Sequence, residues 1–116
     1  MKYFIPIFLV FFVVSSCKEE TDPVIIEPTP QETYSTLKIV IDQNCVGCHS
    51  YGGNAAAYGD LSNYSSIKSI LDNSSQEFIN RISSDDENYR MPPSGSLSSS
   101  QIGKLIDWVN DGYPEN

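Results

Sequence analysis

Positive charge is scarce in this sequence: seven lysines and arginines stand against fifteen aspartates and glutamates, a net charge of −8. Nucleic-acid binding rests on neutralising phosphates with Lys and Arg, so this balance argues against that class of partner. An acidic surface is the ordinary solubilising surface of an exported protein, and it also suits a basic docking face on another protein. Histidine and methionine are scarcer still. His49 stands alone, and Met91 is the one methionine beyond the initiator, so no convincing set of acid, base and nucleophile is present. The sequence also lacks an unbroken run of the ~20 apolar residues that a membrane span needs, and its hydrophobic periodicity shows no strand-helix-strand pattern. With 116 residues there is room for one domain and terminal extensions.

What is present is concentrated in Cys45-Val46-Gly47-Cys48-His49. Two thiols three positions apart can form thioether bonds to two vinyl groups on one edge of a porphyrin, and the adjacent imidazole then binds iron as the proximal axial ligand, so the spacing reads as c-type haem attachment. Two other chemistries share these residues. A structural zinc site wants four ligands, usually in spaced pairs, and apart from Cys17, read below as acylated, the chain holds no further Cys or His. A dithiol redox site wants a βαβ context, which is lacking.

A second axial imidazole cannot come from this chain, which leaves Met91 as the candidate for the other face of the iron; His/Met ligation belongs to electron-transfer cytochromes. Its setting is Tyr89-Arg90-Met91-Pro92-Pro93-Ser94-Gly95. Pro92 biases Met91 away from helix and Pro93 stiffens the loop behind it. The alternative for Met91 is ordinary packing. Tyr89 and Arg90 fall where they could meet a haem propionate or simply face solvent.

These residues resemble the class I monohaem cytochromes c, over about Tyr34 to Gly112. The anchors are the Cys45 to His49 motif, Met91-Pro92-Pro93 and a closing helix that contains Trp108. More narrowly, Met-Pro-Pro followed by a Ser-initiated helix ending in Trp-x-x-x-Gly is similar to the small cytochrome domains of bacterial envelope lipoproteins. The resemblance implies an all-α domain of the small cytochrome c fold, about four short helices packed around one covalently attached haem c. It implies thioether bonds at Cys45 and Cys48 and axial ligation by His49 and Met91. It further implies a monomeric one-electron carrier, not an enzyme, that meets redox partner proteins of the cell envelope.

Along the chain, residues 1–16 read as an export signal, with Lys2 followed by the short apolar run Tyr3 to Val14. Val14-Ser15-Ser16-Cys17 resembles a lipobox, which makes Cys17 the acylated first residue of the mature protein. Residues 17–32 form an acidic, proline-rich tether with a reach of up to roughly 45 Å at about 3.1 Å per residue, and residues 33–116 form the domain. Within it a first helix is predicted from Thr33 to Asn44, with Leu37, Val40 and Ile41 on one face, and the glycine-rich stretch from Tyr51 to Asp60 reads either as a loop wrapping the haem edge or as a plain flexible loop. Short helices follow at 64–71 and 75–82. A last helix opens with the capping box Ser98-x-x-Gln101, carries the stripe Ile102, Leu105, Ile106 and Val109, and stops at Gly112. Trp108 sits at the edge of that stripe, to pack in the core or against the haem rim.

Three functions compete for these residues: an electron carrier with both axial positions filled, a haem domain with an open distal position that binds or senses small gases or peroxide, and a dithiol or metal-binding module without haem. The expected location is the cell envelope outside the cytoplasm, lipid-anchored at Cys17. Lys18-Glu19-Glu20 resembles a signal for display on the outer surface of the outer membrane and equally suits a solvated linker on the periplasmic side. Cys17→Ser is expected to shift the protein from the membrane fraction to a soluble or unprocessed form; unchanged partitioning of the variant would count against acylation.

Overall fold

The computed structural model describes residues 29–116; the expected signal segment, Cys17 and the expected tether through residue 28 lie outside the described residues. Among the described residues the fold is helical without strands, and it contains three α-helices: α1 (Tyr34–Ile41), α2 (Tyr64–Ser83) and α3 (Ser99–Asn110). About four were expected. The two short helices anticipated at 64–71 and 75–82 are halves of α2, and what separates them is a bend at Ser74, with φ −147° and ψ 33°. Asp72, Asn73 and Ser74 weaken the helix there because short polar side chains compete for backbone partners. The Asn73 amide, for instance, donates to the Ser69 carbonyl at 2.8 Å.

Each of the four N–H groups that open α1 has an acceptor, as a helix start within a packed fold requires. Thr33 N–H donates to Thr36 Oγ1 at 3.0 Å, and Thr36 N–H returns a bond to Thr33 Oγ1 at 3.3 Å. This is a capping box with threonine in the position usually held by Glu or Gln. The next two donors reach across the fold: Tyr34 N–H to the Pro114 carbonyl at 2.8 Å and Ser35 N–H to the Glu115 carbonyl at 3.1 Å.

The capping box expected on α3 is present, with Ser98 N–H on Gln101 Oε1 at 2.9 Å and Gln101 N–H on Ser98 Oγ at 3.2 Å. Gly112 ends the helix at φ 84°. Its N–H donates to Val109 O at 3.2 Å and that of Tyr113 donates to Trp108 O at 2.8 Å, the two bonds of a Schellman motif. The turn sends residues 113–116 back over the start of α1.

The core lies where the helices meet. Leu37 and Ile41 of α1, Ile67 and Leu71 of α2, and Leu105, Trp108 and Val109 of α3 are buried, each large apolar side chain contributing about 1.5–3 kcal/mol. Trp108 is fully enclosed at 0% exposure. Its ring centroid lies 6.5 Å from that of Tyr34 and 6.3 Å from that of Tyr113, and its Nε1–H donates to the Pro114 carbonyl at 2.9 Å. Trp108 therefore belongs to the core. No described helix is long and apolar enough to cross a membrane.

Trp108→Ala is expected to cost about 3–5 kcal/mol, the range for emptying a large aromatic site, measured by denaturant unfolding. A loss under about 1 kcal/mol would show that the α1–α3 contact does not depend on the indole.

Candidate cofactor-binding site

After Ile41 the chain keeps turning but the spiral widens, and residues Asp42–Val46 form a π-helical turn. The first helix expected to run through Asn44 thus ends in a wider coil, a feature that recurs at functional sites. Asn44 helps open it, its amide donating to the Val40 carbonyl at 2.7 Å. Cys45 rides on this turn, and the Cys48 and His49 N–H groups both donate to its carbonyl, at 3.2 and 2.9 Å. Both thiols are free; Cys45 is half-buried and Cys48 exposed. Burial pushes the Cys45 thiol up to about 11.

The loop that follows folds back onto the motif. Ala55 N–H donates to Cys48 O at 3.0 Å, and Leu61 N–H donates to His49 O at 2.8 Å. A Cβ on Gly53 would collide with the Cys48 carbonyl, so close backbone approach here serves the motif itself. Gly59, at φ 125°, adopts a conformation that only glycine takes readily, and its carbonyl lies 3.2 Å from His49 Nδ1. A carbonyl can only accept, so Nδ1 is the donor, and in the neutral imidazole the lone pair then lies on Nε2.

Beside the motif lies a cavity of about 800 Å³, within the ~300–1,000 Å³ range of small-molecule and cofactor sites. Cys45, Cys48 and His49 line it together with Met91, Pro92 and Pro93 from far downstream. The structure thus brings all four sequence-derived residues to one space. α2 contributes Ile70, Ser74, Glu77, Phe78, Arg81 and Ile82, a set spaced three and four apart that forms one helix face. The bend at Ser74 lies on that face. Ile70 and Phe78 are half-buried and line the cavity. Leu61 and Leu97, which the sequence did not single out, complete the apolar wall.

Tyr89 and Arg90 separate in the structure. The Tyr89 hydroxyl donates to Glu77 Oε2 at 2.7 Å and is thereby committed to the protein, whereas Arg90 Nε is buried without a hydrogen-bond partner. Among the described residues no three His, Cys, Asp or Glu side chains converge as a cage for a bare metal ion. Comparison with protein-family models, curated proteins and solved structures gives no match.

Gly53→Ala must displace the Cys48 carbonyl, and it is expected to lower the thermal midpoint by at least about 4 °C, the shift given by about 1 kcal/mol in a domain of this size. An unchanged midpoint would show that the loop yields freely.

Proposed function

We propose that this domain is a one-electron carrier whose redox centre is a c-type haem, bonded through Cys45 and Cys48 and ligated by His49 and Met91. The observation that carries this reading is that one cavity gathers two free thiols, an imidazole and a thioether around apolar walls. The Gly59 carbonyl supports it further, since a metal-ligating His almost always donates its second ring N–H to a carbonyl or carboxylate that fixes its orientation. Nε2 is the nitrogen left for iron.

When bound, the haem supplies an Fe(III)/Fe(II) couple. The chain's own task would then be to hold His49 and Met91 toward the iron and to keep water from the ring, with Leu61, Ile70, Phe78, Ile82 and Leu97 providing the wall. Such a carrier needs no catalytic acid, base or nucleophile. The wider reading places the domain in the cell envelope, lipid-anchored through Cys17, where it exchanges electrons with partner proteins.

The test is the visible spectrum of protein matured in a host with haem-attachment machinery. A low-spin haem in both oxidation states, with a sulfur-to-iron charge-transfer band in the ferric form, is expected. Met91→His should keep the haem attached and lower the reduction potential, because a thioether raises it relative to a second imidazole. Five-coordinate high-spin iron in the parent would instead establish the ligand-binding domain with an open distal position, and protein without haem would leave the dithiol or metal-binding module.

A further inference from the structure

Met91 sits between two unlike segments. Downstream, Pro92 and Pro93 restrict the backbone by their rings. Upstream there is no proline between α2 and Met91, and a comparable restraint has to come from contacts. Glu77 and Arg81, one helical turn apart on α2, provide them. Glu77 Oε1 accepts from Arg81 Nε at 2.7 Å, while Oε2 accepts from the Tyr89 hydroxyl at 2.7 Å. Arg81 Nη1 donates to the Tyr89 carbonyl at 3.2 Å, and the guanidinium stacks 4.1 Å from the centre of the Tyr89 ring. The backbone closes the set: Met91 N–H donates to the Arg81 carbonyl at 2.9 Å, one of the carbonyls that the end of α2 leaves without a helical partner.

We propose that Glu77, Arg81 and Tyr89 form a bracket of positioning residues that clamps the segment before Met91 onto α2 and so holds the Met91 thioether toward the cavity. Each exposed ion pair or stack is weak alone. Here the contacts converge on one residue, Tyr89, two positions before the sulfur, so they act on the same local opening. Glu77 and Arg81 also line the cavity themselves, which places the bracket at the edge of the site. The bracket's role in ligation rests on the haem reading given above.

The test uses the haem-loaded protein. Added imidazole can take the iron position of Met91 only when the Met91 segment moves away, so its apparent affinity reports the population of the open form. Glu77→Gln and Tyr89→Phe are each expected to tighten ferric imidazole binding by about threefold to tenfold, the scale of losing one or two partly exposed contacts. The double variant should gain less than the product of the two, because both act on one bracket. Lys104→Ala, which removes an ion pair with Glu32 remote from this segment, should leave the affinity at the parent value. Tyr89→Phe removes a single oxygen and keeps the ring stack, which guards against a general folding loss, and the thermal midpoint is followed in parallel. Parent affinity in both variants, or a fall in midpoint without a change in imidazole affinity, overturns the bracket while leaving His49/Met91 ligation standing. A parent without the sulfur-to-iron charge-transfer band overturns the ligation and the bracket with it.

Discussion

One carbonyl oxygen joins the two ends of the helical frame. Pro114 O accepts both the first helical N–H of α1 and the indole N–H of Trp108 on α3, so the start of one helix and the most deeply buried side chain of the other share an acceptor. The geometry of everything downstream of α1 follows from that junction. With its start held by residues 114 and 115 and its buried face held by Leu37 and Ile41, α1 points its widened last turn, and the cysteines after it, at one side of the bent α2. Without the junction, the eight residues of α1 would be too few to persist as a helix, since isolated helices under about 12–15 residues are marginal in water.

The cavity follows from a division of labour along α2. Ile67 and Leu71 are buried against the core, while Ile70, Ser74, Phe78 and Arg81 turn another face to the cavity. A helix that is apolar on more than one side needs something to cover both. The other helices cover one side, and the covalently attached ring proposed here would cover the other. This is the usual resort of small domains whose polypeptide core is thin.

Much of this was legible in the sequence because it lies in local patterns. Ser98 and Gln101 announce the start of α3, Gly112 its end, and the stripe of Leu105 and Val109 its buried face. The motif residues and Met91 could be selected by type alone, since the chain has so few residues of those types. What could not be read depends on partners that carry no signature. Any residue offers a backbone carbonyl, so nothing in the sequence marks Gly59 as the acceptor for His49 or Pro114 for Trp108. The capping box of α1 was hidden because Thr36 stands where Glu or Gln is expected. A π-helical turn shifts the bonding by one residue over a span too short to alter hydrophobic spacing, so Asp42–Val46 looked like the end of an ordinary helix. The weak stretch at Asp72, Asn73 and Ser74 was visible, but whether the chain bends there or leaves the helix is settled by packing on both sides. Glu77 and Arg81 stand at a familiar helical spacing; their link to Tyr89 is tertiary and appears only in the fold.

The acceptors at the head of α1 also carry a consequence for the order of events in biogenesis. Ser35 and Glu115 are 80 positions apart, so a chain that emerges N-terminus first presents the cysteine motif long before the carbonyls that complete the preceding helix exist. Contacts of such separation form late, since a long loop must close before they give any return. During that interval Cys45 and Cys48 lie on a stretch that these bonds have not yet locked, a condition that would suit the haem attachment proposed above. The bonds that later fix the start of α1 thus form after the motif has emerged, because their partners lie so far apart along the chain.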